Sequence, residues 1–193
     1  MPSMSKLGHA DSPHRIVALT GFMAAGKSTV GRVLASILRW RFLDLDCEIE
    51  CRSKLQIHEL FATHGEPHFR QIEADALRAV LEQTSTPTVI ALGGGTFTES
   101  QNADLLRSHD VHVVFLELAV AELLQRCQAA GERSAHDPRP LAANTEAFCA
   151  LYARRLPHYQ KAGLIVNTAG KTAEQVAREI VAALHLAAGK AGT

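Results

Sequence analysis

The chain has 193 residues, of which 47% are hydrophobic, and its 20 Lys and Arg residues balance its 20 Asp and Glu residues. This size and apolar content favour one domain with one sizeable core. A neutral chain carries no basic field of the kind that attracts nucleic acid or an anionic membrane, so any anion has to be bound by local groups.

The first fifteen residues, 1–15, lack the apolar stretch of a secretory signal. We expect them to form a disordered lead ahead of a single domain over 16–193. No stretch of the chain reaches the roughly 18 apolar residues of a membrane span. These features favour a cytoplasmic protein without nucleic-acid or membrane partners, which we expect to be a monomer.

Short apolar runs of strand length alternate with segments of helical periodicity along the rest of the chain. This alternation predicts an α/β fold with a parallel sheet covered by helices on both faces, because parallel strands need crossover connections. The predicted strands are 16–19, 42–45, 89–92, 111–116 and 164–166. The predicted helices are 27–38, 57–63, 67–81, 119–129, 145–161 and 173–186, with Gly131 and Gly163 as stop signals.

Ligands of open parallel sheets bind outside the carboxyl ends of the strands. Four polar or glycine-containing stretches end or follow predicted strands, at 20–29, 44–46, 93–96 and 167–170. We therefore expect the chemistry of this protein in these four stretches.

The segment 21–32, GFMAAGKSTVGR, lies between a predicted strand and a predicted helix. Glycines allow successive backbone amides to converge on phosphate oxygens, and the following helix adds the positive end of its dipole. Lys27 is placed to reach the outer phosphates of a nucleotide, and the Ser28 hydroxyl suits a Mg²⁺ ligand. The segment predicts a nucleoside triphosphate site.

Two aspartates, Asp44 and Asp46, end the second predicted strand in the sequence FLDLDCEIE. One carboxylate is suited to hold Mg²⁺ through water, and the other to orient or deprotonate a hydroxyl acceptor. The alternative is that Asp46 caps a helix, with acidic residues in its first turn. Both interpretations can hold for the same residue.

Further polar segments follow in the second half of the chain. Arg70 and Glu73 are one helical turn apart, for which a surface ion pair is the default expectation. Three successive glycines, 93–95, let a ligand approach the backbone closely, although a tight turn without a ligand has the same pattern. The segment 131–140, GERSAHDPRP, contains Arg139 and predicts either a mobile lid or a solvated connection.

Two adjacent arginines, Arg154 and Arg155, stand near the end of the predicted helix 145–161. The planar fork of arginine matches carboxylate and phosphate oxygens, so these residues are candidates for anion binding.

Two pairs of potential metal ligands occur at helical spacing. They are Cys47 with Cys51 and His64 with His68. No four-ligand zinc spacing closes around either pair, so we expect free thiols rather than a zinc site.

Six segments occur in an order and spacing that resemble those of the shikimate kinase family, over roughly residues 16–168. They are GFMAAGKSTVGR, FLDLD, IHELFATHGEPHFRQIE, LGGGTF, RPLA and RRLPHY. The resemblance implies a three-layer α/β/α P-loop fold like that of nucleoside monophosphate kinases, with a five-stranded parallel sheet, a substrate-binding region over about 44–81 and a mobile lid over about 131–142. It also implies transfer of the terminal phosphate of ATP, with Mg²⁺, to the 3-hydroxyl of shikimate, a step of aromatic amino acid biosynthesis.

The resemblance also implies roles for individual residues. Those implied at the nucleotide are Ala24, Ala25, Gly26, Lys27, Ser28, Thr29, Arg126 and Arg139. Those implied at shikimate are Asp46, Arg70, Gly93, Gly94, Gly95 and Arg155, with Arg70 and Arg155 on the carboxylate and Asp46 on the hydroxyl group. The implied Mg²⁺ ligands are Ser28 and, through water, Asp44. The implied catalytic residues are Lys27, Asp46 and Arg139.

Some positions depart from the family pattern. Ala24 and Ala25 stand where the family commonly has glycine and serine, which we expect to stiffen the loop while leaving its amide donors intact. The stretch between Arg126 and Arg139 is longer than in many relatives, and Asn167 stands where the family often has aspartate.

Three other functions remain open from the sequence. A kinase for another small hydroxy acid or sugar, such as gluconate, would share the fold. A nucleotide-dependent regulatory protein would bind ATP without transferring phosphate to a metabolite. A nucleoside monophosphate kinase is the least favoured of the three, because its acceptor phosphate would need more arginines than the sequence supplies.

Overall fold

The structure is a computed structural model that describes residues 16–131 and 144–187. Within these ranges, five parallel strands form one sheet in the order β2-β3-β1-β4-β5. The strands are β1 (Ile16–Thr20), β2 (Arg41–Asp44), β3 (Thr88–Ala91), β4 (His112–Glu117) and β5 (Leu164–Asn167). The predicted five-stranded parallel sheet is confirmed, with each strand within two residues of its predicted bounds.

Helices connect the strands and cover both faces of the sheet. They are α1 (Lys27–Leu38), α2 (Leu45–Ser53), α3 (Ile57–Gln83), α4 (Ser100–Ser108), α5 (Val120–Gly131), α6 (Thr145–Tyr159) and α7 (Ala173–Ala183), and a short 3₁₀ helix occupies Thr96–Thr98. Neither α2 nor α4 is among the helices predicted above, although a helix capped at Asp46 was one of the two interpretations of the segment that forms α2. No helix among the described residues has the length and apolar content needed to cross a membrane.

The chain turns from β2 into α2 without a loop. Leu45, which was predicted as the end of the strand, is the first residue of α2. Asp44 is the N-cap, and its side chain accepts a hydrogen bond from the backbone amide of Asp46 at 3.2 Å. The helix cap predicted at Asp46 is therefore two positions too late, because the extended residue that precedes the helix is Asp44.

The predicted break between helices 57–63 and 67–81 corresponds to a kink within α3. Gly65 has φ 75° and ψ 170°, which is outside the helical region, and Pro67 follows it. A backbone of this kind is readily adopted only by glycine. The kink divides α3 into a short arm before Gly65 and a long arm after it.

Two apolar clusters lie on opposite faces of the sheet. Val17 and Leu19 of β1 belong to one cluster, while Ile16 and Ala18 belong to the other. Since successive residues of a strand point to opposite faces, β1 is buried on both sides, as expected for the centre of a covered parallel sheet. Because the strands are parallel, the carboxyl ends of β1, β2 and β3 lie at the same edge of the sheet.

Several predictions concern residues outside the described ranges. These are the lead at 1–15, Arg139, and the lid over 131–142 apart from Gly131, which is the last residue of α5.

Candidate active site

The loop between β1 and α1 has the backbone geometry of a phosphate-binding loop. Gly21 has φ 145°, and a Cβ atom there would lie 2.9 Å from the carbonyl oxygen of Leu116. Gly26 has φ 91° and is the N-cap of α1. Lys27 folds back over the loop and donates hydrogen bonds to the carbonyl oxygens of Gly21 at 3.0 Å and Phe22 at 3.1 Å.

The two alanines of this loop differ in backbone conformation and exposure. Ala24 has φ 62°, a left-handed conformation that disfavours residues with a Cβ atom. Ala25 is buried, and its amide donates to the carbonyl oxygen of Phe22 at 3.2 Å. The stiff turn expected from these alanines therefore contains a strained residue at the position where the resemblance implied glycine.

Ser28 and Asp44 bring two oxygens together beside the loop. The Ser28 hydroxyl donates to Oδ2 of Asp44 at 2.5 Å, and both residues face the same cavity. A hydroxyl and a carboxylate in contact form a hard donor pair, which suits Mg²⁺.

Asp46 lies in the first turn of α2 and faces the same cavity. Burial raises the pKa of its carboxyl group to about 6; Lys27 opposes this rise, and the charges of Asp44, Glu73 and Glu50 add to it. A carboxylate with a pKa close to neutral is suited to accept a proton from a reacting hydroxyl group.

Arg70 is held against the triple glycine by acidic residues of its own helix. Its Nη1 donates to Oε2 of Glu73 at 2.8 Å, and its Nη2 donates to Oε1 of Glu66 at 3.0 Å. A Cβ atom on Gly95 would lie 2.6 Å from Arg70 Nη2, so the guanidinium lies directly on the glycine backbone. The expected ion pair between Arg70 and Glu73 is present, but its expected location at the surface is wrong, because the side chain of Glu73 is only 1% exposed.

Gly93 provides space for three polar side chains. A Cβ atom at this position would lie 2.7 Å from Asp46 Oδ1, 2.9 Å from Thr96 Oγ1 and 3.1 Å from Glu73 Oε1. Any side chain on residue 93 would displace at least one of these groups. The glycine is needed for the packing of the site as well as for access of a ligand.

Arg155 of α6 reaches the triple glycine from the other side. Its Nη1 donates to the carbonyl oxygen of Gly94 at 3.2 Å, and the same carbonyl accepts a hydrogen bond from the hydroxyl group of Tyr159. Burial raises the pKa of Tyr159 to about 12, so this hydroxyl stays a donor at neutral pH. Arg155 and Tyr159 together fix the orientation of the peptide group at Gly94.

These elements enclose one cavity of about 580 Å³ at the carboxyl edge of the sheet. Ala24, Lys27 and Ser28 line it on one side, and Arg70 and Arg155 line it on the other. The remaining predicted residues that line it are Gly26, Thr29, Asp44, Asp46, Gly93, Gly94 and Gly95.

Three other predicted positions fall elsewhere. Ala25 is buried within the loop, and Arg126 is exposed on α5; neither is among the residues that line this cavity in the described ranges. The stretch 167–170 also contributes nothing to its lining. Arg154 lines a neighbouring cavity of about 560 Å³.

From the sequence, Glu73 was expected only to pair with Arg70, and Thr96 and Tyr159 were given no individual role. A signal for Glu73 was present, because it interrupts an apolar helical stripe that includes Phe69, Leu77 and Val80 of α3. A carboxylate on a buried face requires a partner. The roles of Thr96 and Tyr159 depend on contacts with residues far away in the sequence, which leave no local pattern.

Comparison with known proteins identifies the family of the chain. A protein-family model described as "Shikimate kinase" matches residues 23–185. Shikimate kinases from Moorella thermoacetica and Geobacter metallireducens are 41% and 40% identical to the chain, over 87% and 91% of its length and 93% and 95% of theirs.

Solved structures show the same similarity. The shikimate kinase from Acinetobacter baumannii in complex with shikimate has a TM-score of 0.77 at 31% identity, covering 89% of this chain and 93% of that one. A gluconokinase from Sinorhizobium meliloti has a TM-score of 0.57 at 19% identity, over 90% and 92% of the two chains, a likeness of fold alone. Because the family model and these relatives span most of its length, the chain belongs to the shikimate kinase family.

Proposed function

We propose that this chain is a shikimate kinase, which transfers the terminal phosphoryl group of ATP to the 3-hydroxyl of shikimate in aromatic amino acid biosynthesis. The observation that carries the proposal is the shared cavity. The phosphate-binding loop opens on one side of it, and Arg70, Arg155 and Asp46 face it from the other. A phosphate donor and an anionic hydroxy acid can therefore meet in one space.

The loop supplies the charge and the donors that a triphosphate requires. Backbone amides at the start of α1 point at bound anions, and the helix dipole adds partial positive charge. Lys27 exchanges its contacts with the Gly21 and Phe22 carbonyls for phosphate oxygens. We expect Arg126 to contact the adenine side of the nucleotide and Arg139 to contact its phosphates, as the family resemblance implies.

Mg²⁺ fits the donor pair formed by Ser28 and Asp44. The Ser28 hydroxyl would bind the ion directly, and Asp44 would hold it through water. When bound, Mg²⁺ would neutralise charge on the phosphate groups.

The acceptor is oriented by two arginines and one aspartate. Arg70 and Arg155 bind its carboxylate, and the Asp46 carboxylate accepts the proton of its 3-hydroxyl. The hydroxyl oxygen forms a bond to the terminal phosphorus as the bond from that phosphorus to the bridging oxygen of ADP breaks. Positioning and charge neutralisation account for most of the catalysis in such a reaction.

We expect the active unit to be a monomer. We expect the reaction to take place in the cytoplasm, where ATP is available.

Coupled measurement of ADP release tests this proposal. We expect rapid release with ATP, Mg²⁺ and shikimate, slow release without an acceptor, and no comparable stimulation by gluconate. Stimulation by gluconate alone would assign the chain to another acceptor, and release independent of any acceptor would contradict its role as a metabolite kinase.

A further inference from the structure

Thr96 directly follows the triple glycine, and its hydroxyl group donates a hydrogen bond to Glu73, the carboxylate that binds Arg70. We propose that Thr96 is a positioning residue, whose hydroxyl fixes the Glu73 carboxylate and thereby aims the Arg70 guanidinium at the carboxylate of the acceptor. This inference rests on the proposed function, which gives the acceptor its carboxylate.

Arg70 has carboxylates on several sides, and only one of them is buried. Glu73 contacts it at 2.8 Å with a side chain 1% exposed. Glu66 contacts it at 3.0 Å and Glu99 at 3.8 Å, with side chains 61% and 47% exposed. An exposed carboxylate moves with its flexible side chain, whereas a buried one is fixed by packing. The direction of the guanidinium therefore depends mainly on Glu73.

Glu73 is fixed in turn by Thr96. One carboxylate oxygen of Glu73, Oε2, accepts from Arg70, and the other, Oε1, accepts from the Thr96 hydroxyl at 2.6 Å. A buried carboxylate requires such donors because it has lost its hydration. The Asp46 carboxylate lies close to the same point above Gly93, so the Thr96 hydroxyl and two carboxylates share this space.

The position of Thr96 is set by the backbone around it. Thr96 is fully buried at the start of the 3₁₀ helix, and its amide donates to the carbonyl oxygen of Gly93 at 3.2 Å. The Asn102 side chain donates to the Thr96 carbonyl at 3.1 Å. The hydroxyl is therefore held by the segment that also presents the glycines to the ligand.

Loss of the hydroxyl leaves Oε1 of Glu73 buried and without this donor. The carboxylate is then free to turn away, which weakens its hold on Arg70. The exposed Glu66 and Glu99 draw the guanidinium away from Gly95. The acceptor loses part of its carboxylate clamp, while the nucleotide loop is unaffected.

Thr96→Val and Thr96→Ser test this chain of contacts by steady-state kinetics. Valine keeps the shape without the donor, and we expect it to raise the KM for shikimate about tenfold while the KM for ATP stays unchanged. Serine keeps the hydroxyl and should restore a KM close to that of the wild type. Thr84→Val is the matched control, since it removes a buried hydroxyl that donates to the Val80 carbonyl at the far end of α3.

A double-mutant cycle with Arg70→Ala identifies the route of the effect. If Thr96 acts through Arg70, Thr96→Val should have little further effect on the KM for shikimate in the Arg70→Ala background. An undiminished tenfold effect in that background would overturn the proposal, as would a single Thr96→Val variant with the KM of the wild type. Should the valine variant fail to fold, Thr96→Cys should raise the KM in the same direction, and an unchanged KM would again overturn the proposal.

The wild-type enzyme separates this inference from the proposed function. Absence of shikimate-dependent ADP release in the wild type would remove the function itself. Normal wild-type activity with indistinguishable Thr96 variants would remove only the positioning role.

Discussion

Asp46 illustrates a conflict between stability and activity at a single residue. Burial raises its pKa to about 6, whereas an aspartate in an unfolded chain titrates near about 3.9. The raised pKa means that the native state binds the proton more tightly. The contribution of this bound proton to the free energy of unfolding is fully present below about pH 4 and is lost as the pH rises through about 6. At neutral pH the protein therefore carries an ionised group that destabilises its fold.

We accordingly expect Asp46→Asn to abolish turnover and to stabilise the protein. The gain in the free energy of unfolding should be on the order of 2 kcal/mol at pH 8 and smaller at pH 5, because ionisation is the origin of the penalty. Urea unfolding at the two pH values measures it. Asp75→Asn, at an exposed carboxylate of α3, serves as the control and should show no comparable dependence on pH. A larger stabilisation at pH 5 than at pH 8 would refute the explanation.

Ala24 offers a second prediction at the residue scale. Its φ of 62° disfavours a residue with a Cβ atom by roughly 1–2 kcal/mol, which exceeds the entropic disadvantage of glycine of roughly 0.5–1 kcal/mol. We expect Ala24→Gly to leave stability unchanged or to raise it by up to about 1 kcal/mol. Ala25→Gly, in the same loop without a positive φ, should be destabilising. Equal losses of stability in the two variants, measured by urea unfolding, would argue against strain at Ala24.

At the scale of the secondary-structure element, the kink of α3 sets the shape of the cavity wall that carries Arg70. Phe61 lies before Gly65 and Phe69 after it, and the two ring centroids are 4.3 Å apart. Both rings line the cavity with Arg70. A change in the kink angle therefore moves Phe61 relative to Arg70 without touching the phosphate-binding loop.

We expect Gly65→Ala to raise the KM for shikimate and to destabilise the protein by about 1–3 kcal/mol, because alanine disfavours the backbone angles at the kink. The added methyl group itself meets no obstacle, since the nearest atom is Pro67 Cδ at 3.8 Å. Gly163→Ala is a suitable control: its Cβ would also have a nearest contact of 3.8 Å, but its φ is not positive. Kinetics with shikimate and ATP varied separately, together with thermal unfolding, would detect both effects. An unchanged KM would show that the kink does not shape the acid site.

The secondary-structure elements that were predicted from the sequence differ from the missed ones in the number of their apolar residues. The first four residues of β1, IVAL, are apolar, and every position of the strand including Thr20 is buried, so β1 was predictable from its hydrophobic run. The helices α2 and α4 have only two buried residues each, Leu45 and Ile49 in α2 and Asn102 and Leu106 in α4. Such short and polar helices present too few apolar positions to establish a period.

At the scale of the whole molecule, the sheet order brings distant segments to one edge. The strand after β1 in the sequence, β2, lies two positions away in the sheet, and β3 fills the space between them. Local patterns predict the strands but not this order, since several right-handed arrangements satisfy the same connections. The rule that ligands bind at the carboxyl ends of strands grouped the stretches 20–29, 44–46 and 93–96 in advance, whereas Arg70 and Arg155 were added only by the family resemblance.

Contacts between residues that are distant in the sequence also distinguish the adjacent arginines Arg154 and Arg155. Arg155 lines the main cavity and donates to Gly94, which is 61 residues away in the sequence, at 3.2 Å. Arg154 is exposed and faces only the neighbouring cavity among those described. Neighbours on a helix point in different directions, so only one of the two can reach a ligand at the triple glycine.

We expect Arg155→Ala to weaken shikimate binding by roughly 2–5 kcal/mol, because the acid loses a desolvated charge partner. Arg154→Ala should change it by less than about 0.5 kcal/mol, as is usual for exposed positions. Arg155→Lys should recover only part of the loss, since an ammonium group lacks the planar fork that matches a carboxylate. Titration calorimetry with shikimate gives the three values directly. A larger loss in Arg154→Ala than in Arg155→Ala would reverse the assignment and would place the acid in the neighbouring cavity.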